Sequence, residues 1–168
     1  MKNLILLATL TVATCISAQE PATKVLTPEQ FFGFKVGEDK KLFTYSKLLE
    51  YFKHLDSVSK EMQVIELGKT TLGNPFALVL FSTEKNLNNI EKLKKIAREL
   101  ALPTETTDVE SLVSSGKVFL CVTLNIHSTE IASSQMAAEF AYDLVTHATP
   151  YDFEKIFDDV VLLLIPSL

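Results

Sequence analysis

The sequence predicts an α/β domain with a mixed, mainly parallel sheet that is flanked by helices. Three observations support this class. Segments with helical and strand periodicity alternate along the chain. Two apolar runs enclose a turn between Gly68 and Pro75, as in an antiparallel hairpin. Finally, the apolar run Val118–Ile126 is followed by a helical segment and a second apolar run, "DDVVLLLIPSL", and this order is typical of a parallel crossover.

The first elements after the amino-terminal segment are two helices. Thr27, Pro28 and Gln30 suit a helix start, since they offer a hydroxyl cap, a first-turn proline and a capping-box glutamine. In "TYSKLLEYFKHLDSVS" the apolar residues recur at helical spacing, and His54 falls on the opposite face, where we expect a solvated side chain. The inward stripe consists of Leu48, Leu49, Phe52 and Leu55.

The middle of the chain contains the hairpin, an amphipathic helix and a polar connection. "MQVIELGKTTLGNPFALVLFST" contains the two hairpin strands. "NLNNIEKLKKIAREL" is predicted as a helix whose lysines and Arg98 form a solvated face. "TETTDVESLVSSG" is predicted as a polar connection with one helical turn.

The last three elements form the crossover. Val118–Ile126 and Val160–Ile165 are unbroken apolar runs, which predict neighbouring parallel strands near the middle of the sheet, covered on both faces. Cys121 is then a small buried hydrophobe. A long helix is predicted from about Thr129 to His147, where the positive charge of a histidine suits the helix dipole.

Residues 1–18 have the pattern of a secretory signal peptide. A lysine is followed by an apolar run and small residues, and the run is shorter than the roughly 20 residues that span a bilayer. We expect cleavage after Ala18, a mature domain over residues 19–168, secretion or a periplasmic location, and no stable membrane insertion. Lipid anchoring at Cys15 is not expected, because Thr14 is a poor residue before such a cysteine.

Charge and cysteine content exclude some classes of protein. Loss of Lys2 with the signal changes the net charge from −5 to −6, and no basic stripe is present, so nucleic acid is not an expected partner. Removal of Cys15 leaves Cys121 alone, so no internal disulfide can form. Packing or a metal must therefore stabilise the domain.

The stretch "LNIHSTEIASS" places His127 at the carboxyl end of a predicted strand and Glu130 at the start of the next helix. Ligands of α/β sheets gather at this end of the strands. Imidazole and carboxylate are both zinc ligands, and the two residues can converge on one ion. Glu130 is not a capping-box residue, because the residue three positions earlier is His127 rather than Ser or Thr. His-x-x-Glu remains a weak motif when taken alone.

Several motifs together resemble the zinc carboxypeptidases of the carboxypeptidase A type. They are "HSTE" after the apolar strand, the GxTxxGxP turn from Gly68 to Pro75, and the approach "TPEQFFGFKVGEDKKLFTYSKLLEYFKHLDSVS". The resemblance is nearest to the exported bacterial members and extends over nearly all of the mature chain. It implies a Zn²⁺-dependent metallopeptidase that hydrolyses C-terminal peptide bonds of a peptide or protein substrate with zinc-activated water.

The resemblance also assigns residues. It implies that His127 and Glu130 are the first two zinc ligands, whereas the third ligand, the general base and the substrate-clamping arginines come from positions beyond Leu168. We therefore expect no catalytic base within these residues, an inactive 168-residue chain, and a longer domain of which this is the amino-terminal part. Thr129 stands where the animal digestive enzymes have arginine, so the usual contact to the peptide upstream of the scissile bond is not carried over.

Two alternatives share these features. A zinc amidohydrolase that acts on N-acyl amino acids or cell-wall peptides could use the same two ligands, and substrate profiling would separate it from a peptidase. A non-catalytic binding module with a carboxypeptidase-like fold would keep His127 and Glu130 as relics, and it predicts no further histidine ligand downstream.

Overall fold

The structure is a computed structural model that describes residues 24–168. The predicted signal peptide and its cleavage site therefore lie outside the described residues. Helices and strands alternate in the described part, as the sequence predicts. The helices are α1 (Pro28–Phe32), α2 (Tyr45–Val58), α3 (Glu84–Asn88), α4 (Ile90–Ala101), α5 (Val109–Ser115), α6 (Ile131–Val145) and α7 (Phe153–Phe157); the strands are β1 (Met62–Lys69), β2 (Pro75–Phe81), β3 (Val118–Thr123) and β4 (Val160–Ile165).

The four described strands form one mixed sheet in the order β1-β2-β4-β3. The hairpin β1–β2 is antiparallel, and β2 also pairs with β4 in the antiparallel sense. The predicted mixed sheet flanked by helices is thus confirmed. Only β3 and β4 are parallel, so the parallel majority that we expected is not present among these four strands.

Strand β3 corrects part of the sequence prediction. It is parallel to β4 as predicted, with Val118 opposite Val160, but it lies at the edge of the described sheet rather than near its middle. Val118 and Leu120 are 62% and 51% exposed, and Cys121 is exposed instead of buried. An unbroken apolar run indicates that a strand tends to be buried. It does not specify whether a second strand pairs with its other side, so it cannot distinguish a central strand from an edge strand.

The main core lies where α2, α6 and α7 pack on the sheet. The predicted stripe of α2 is buried, and Phe52 and Leu55 are fully inaccessible to solvent. Helix α6 contributes mainly alanines to this core, and their small side chains allow α2 and α6 to approach closely. Burial of one large apolar side chain contributes about 1.5–3 kcal/mol, so the many large side chains of this cluster make it a major source of stability. Its largest members include Leu48, Tyr51, Phe52, Leu55, Met62, Phe81, Leu144, Phe153, Phe157, Leu162 and Leu164.

The segment before α2 is fixed by hydrogen bonds. The predicted capping box of α1 is confirmed: Gln30 N–H donates to Thr27 Oγ1 and Thr27 N–H donates to Gln30 Oε1, each at 3.1 Å. The prediction that His54 is a solvated surface residue is wrong, because Leu26 N–H donates to His54 Nε2 at 3.1 Å and the imidazole ring stacks on Phe31.

Tyr51 ties the same segment to α2. Its hydroxyl donates to the Leu26 carbonyl at 2.9 Å. Burial raises the pKa of Tyr51 well above its ordinary value, with smaller contributions from nearby acidic groups. The hydroxyl therefore remains a hydrogen-bond donor throughout the physiological pH range.

A buried polar network joins Ser82, which directly follows β2, and Asn86 of α3 to the α7–β4 connection. Asn86 Nδ2 donates to the carbonyls of Phe157 and Asp158 at 2.8 and 3.0 Å, and Ser82 Oγ lies 2.7 Å from the Val160 carbonyl. These bonds satisfy the carbonyls at the end of α7, a helix that sequence analysis did not predict. They also hold β4 at the position where it pairs with both β2 and β3.

Two boundaries near the candidate site differ from the prediction. Strand β3 ends at Thr123, three residues before the predicted Ile126, and α6 spans Ile131–Val145 rather than Thr129–His147. The residues between them form a loop that contains both His127 and Glu130. No helix within residues 24–168 is both long and apolar enough to cross a bilayer.

Candidate metal centre

The loop between β3 and α6 places His127 at the carboxyl end of the parallel strand pair. Leu124 continues the ladder, since its N–H donates to the Ile165 carbonyl at 2.9 Å. Asn125 then adopts φ +55°, a left-handed conformation that asparagine tolerates better than most residues. This residue turns the chain away from the sheet, and His127 follows two positions later.

His127 and Glu130 are in direct contact. The distance between His127 Nδ1 and Glu130 Oε2 is 3.0 Å. The same carboxylate oxygen accepts the His127 N–H at 3.3 Å, and Glu130 N–H donates to the His127 carbonyl at 3.0 Å. Both side chains are open to solvent, at 73% and 56% exposure. The structure thus brings the two predicted ligands together at an accessible position.

The carboxylate of Glu130 is not used to cap α6. Glu130 occupies the N-cap position, with φ −89° and ψ 49°, and α6 has no side-chain cap hydrogen bond. The carboxylate is instead turned toward His127. This agrees with the sequence argument that Glu130 is not part of a capping box.

The chemistry and spacing of the two donor atoms fit zinc. Zinc binds imidazole nitrogen and carboxylate oxygen at about 2.0–2.2 Å, so neighbouring donors around a tetrahedral ion lie about 3.3–3.5 Å apart. The observed 3.0 Å between His127 Nδ1 and Glu130 Oε2 needs only a small adjustment to reach that spacing. Within residues 24–168, no group of three or more His, Cys, Asp or Glu side chains is placed to hold a metal ion. In the described part of the chain, His127 and Glu130 are thus a pair of candidate donors rather than a complete metal site.

A histidine–glutamate contact alone does not identify a metal site, because His147 makes one as well. His147 Nε2 lies 2.7 Å from Glu61 Oε2, and its ring stacks on Phe153 with centroids 4.6 Å apart. This pair joins the end of α6 to the start of β1 and has an evident structural role. Position at the carboxyl end of the parallel strands distinguishes His127 and Glu130 from it.

Sequence reasoning missed two residues that support the pair. Asn125 N–H donates to Ser133 Oγ at 3.1 Å, and Ser133 Oγ donates to the Glu130 carbonyl at 3.0 Å. Ser133 was predicted only as a helix residue without a specific role. The Asn preceding His127 by two positions is the one sequence signal of the turn, since Asn is enriched in left-handed conformations.

An open cleft of about 540 Å³ lies beside the first turns of α6. It is bordered on one side by Ile131, Ala132, Gln135 and Met136, and on the other by residues 36–42. Ile131 directly follows Glu130 in the sequence, but neither His127 nor Glu130 lines the cleft. Gln135 fixes the two walls relative to each other, because its side-chain amide exchanges hydrogen bonds with the backbone N–H and carbonyl of Phe43 at 3.2 and 3.0 Å.

Residues 48–168 match the sequence model of the zinc carboxypeptidase family, described as "Zinc carboxypeptidase". The match contains the hairpin, both strands of the parallel pair and the His127–Glu130 loop. No curated protein has a sequence that matches this chain significantly.

Solved structures of similar fold were also found. Carboxypeptidase A from Helicoverpa armigera superposes with a TM-score of 0.51 at 14% identity, and the match covers 83% of this chain and 29% of that chain. A metallo-carboxypeptidase from Burkholderia cenocepacia gives a TM-score of 0.40 at 14% identity, covering 74% of this chain and 26% of that chain. The insect protein supports the fold alone, and this chain spans less than a third of its length.

Proposed function

The chain belongs to the zinc carboxypeptidase family, and from this membership we propose that the complete protein is a metallocarboxypeptidase that hydrolyses C-terminal peptide bonds. The observation that carries the proposal is the contact between His127 and Glu130 at the carboxyl end of β3, where both side chains remain accessible. Family membership alone would not distinguish an active member from a member that has lost its metal ligands.

His127 and Glu130 would hold the zinc ion through imidazole Nδ1 and the carboxylate. For Nδ1 to act as a ligand, the neutral imidazole must carry its proton on Nε2. The backbone bond from His127 N–H to Glu130 Oε2 orients the carboxylate toward the imidazole. When bound, zinc supplies Lewis-acid chemistry that activates water and polarises the peptide carbonyl. The third ligand and the general base are expected outside this chain.

The cleft beside the first turns of α6 offers room for part of a peptide, and its nearest lining residue along the chain to the candidate ligands is Ile131. Its walls combine apolar side chains such as Met136 with backbone and charged groups of residues 36–42. Arg98 is the only arginine of the sequence and belongs to α4, so recognition of a terminal carboxylate by arginine would depend on residues outside this chain. A peptide or protein substrate is thus part of the proposal.

Substrate profiling of the complete protein tests the proposed function. We expect zinc-dependent release of the terminal residue from a blocked dipeptide, loss of the activity on chelation, and recovery when zinc is added back. Preferential hydrolysis of N-acyl amino acids or cell-wall peptides would instead identify an amidohydrolase. Tight zinc binding without hydrolysis of any of these substrates would indicate a binding module.

We also propose that the protein is secreted or periplasmic, on the basis of the signal-peptide pattern in residues 1–18. Amino-terminal sequencing of the exported protein should begin near Gln19. A chain that retains Met1, or one that is lipidated at Cys15, would contradict the proposal.

A further inference from the structure

The loop that contains the two predicted ligands is exposed and has few contacts of its own. Residues 126–130, which contain both predicted ligands, are all exposed to solvent. Ligands on such a loop would sample many positions unless the two ends of the loop were tied together, and ordering them on metal binding would then reduce the affinity. The hydrogen bonds at the ends of the loop are therefore relevant to metal binding.

One hydroxyl connects these two ends. Ser133 Oγ accepts the Asn125 N–H at 3.1 Å and donates to the Glu130 carbonyl at 3.0 Å. A hydroxyl has one donor and two acceptor positions, so it can make both bonds at once. Asn125 lies two residues before His127, and Glu130 is the second predicted ligand. Ser133 thus links the backbone that precedes His127 to the backbone carbonyl of Glu130, while its hydroxyl contacts neither ligand side chain.

We propose that Ser133 is a positioning residue that pre-organises His127 and Glu130 for zinc. The inference rests on the proposed function, since it assumes that these two residues bind the metal. The Ser133 hydroxyl holds Asn125 in its left-handed conformation. This conformation sets the direction in which the chain leaves the strand toward His127. Through the Glu130 carbonyl it also fixes the start of α6, from which the carboxylate projects.

Ser134 provides a matched comparison within the same helical turn. Its hydroxyl donates to the Ile131 carbonyl at 3.1 Å, which is the same bond to the residue three positions earlier that Ser133 makes to Glu130. Ser133 differs from Ser134 in accepting the additional bond from Asn125 at the end of the strand. If Ser133 only stabilised the first turn of α6, replacing Ser133 or Ser134 by alanine would have the same effect on zinc affinity.

The effect on zinc affinity should be moderate and specific. Loss of a group that orients metal ligands typically lowers metal affinity by 10- to 100-fold. We expect a decrease of that size for Ser133→Ala in the complete protein, measured by competition with a chelator of known affinity. Ser133→Thr keeps the hydroxyl, and threonine in helices can bond the preceding carbonyls, so it should recover most of the affinity. Ser134→Ala should change the affinity by less than about 2-fold.

Two further measurements separate positioning from general stability. Amide hydrogen exchange at Asn125 in the metal-free protein should be faster in Ser133→Ala than in the wild type, and unchanged in Ser134→Ala. The absorption spectrum of the cobalt-substituted protein, which reports ligand geometry, should be altered by Ser133→Ala and restored by Ser133→Thr. Melting temperatures of the serine variants should agree within a few degrees.

The outcomes distinguish this inference from the proposed function. Tight zinc binding by both the wild type and Ser133→Ala would overturn the positioning role and leave the proposed function intact. Equal losses for Ser133→Ala and Ser134→Ala, in parallel with lower melting temperatures, would also overturn it. A wild-type complete protein that fails to bind zinc would refute the proposed function, and this inference with it.

Discussion

Replacement of His127 by alanine in the complete protein is expected to lower kcat/KM for peptide hydrolysis by about 1000-fold. The structure places its Nδ1 3.0 Å from Glu130 Oε2, so the change removes one of the two proposed metal donors of this loop. A metal ion contributes several kcal/mol of transition-state stabilisation, and a loss of about 4 kcal/mol corresponds to this factor. Glu130→Gln should have a similar effect, since it removes the negative charge with little change in size.

His147→Ala is the matched control for His127→Ala. His147 also contacts a glutamate, at 2.7 Å from Glu61, but it lies at the opposite end of α6 from the ligand pair. We expect kcat/KM within about 3-fold of the wild type, with some loss of stability from the broken contact. Activity that survives in His127→Ala, or that is lost equally in both variants, would contradict the assignment of His127 as a ligand.

Phe52→Ala is expected to destabilise the fold by about 3–5 kcal/mol, the range for deletion of a fully buried phenylalanine. Phe52 lies on α2 in the core that α2 shares with α6 and the sheet. The change would leave a cavity under the helix that begins at the candidate metal centre. Denaturant unfolding of the complete protein measures the effect as a decrease in midpoint concentration at an unchanged slope.

Leu72→Ala serves as the control for this substitution. Leu72 is 88% exposed in the β1–β2 turn, and its truncation should change the free energy of unfolding by less than about 0.5 kcal/mol. If Phe52→Ala were equally mild, the core packing described for α2 would be incorrect. Zinc affinity of folded Phe52→Ala should fall less than that of His127→Ala, because Phe52 acts only through the packing of α6.

Local patterns made most elements predictable. The α1 capping box is a local hydrogen-bond motif, and the α2 stripe follows directly from helical periodicity. The β1–β2 hairpin follows from the turn residues around Gly73, which adopts φ +79°. The parallel pairing of β3 and β4 followed from the strand–helix–strand order.

Features that depend on long-range neighbours were not predictable. The edge position of β3, and with it the exposure of Cys121, depends on which strands lie beside it rather than on its own residues. The role of His54 depends on a bond to Leu26, 28 residues earlier in the chain. Helix α7 is only five residues long, and its carbonyls are satisfied by Asn86, which is 71 residues away from Phe157.

The candidate site shows the same division. The positions of His127 and Glu130 in one loop could be inferred from the apolar strand that precedes them and the helix that follows. The hydrogen bond from Asn125 N–H to Ser133 Oγ could not be inferred from the sequence. It forms only because the left-handed conformation of Asn125 places its N–H 3.1 Å from that hydroxyl. The family match supports the zinc chemistry that we propose for the pair. The hydrogen bonds of Ser133 show which neighbouring residue links the backbone of this loop.

The zinc content of the purified complete protein tests the central claim most directly. The wild type and His147→Ala should each retain about one zinc ion per chain after dialysis against metal-free buffer. His127→Ala and Glu130→Ala should retain almost none under the same conditions, while remaining folded. Equal zinc content in all four proteins, or a wild type without zinc, would contradict the assignment of His127 and Glu130 as the metal ligands.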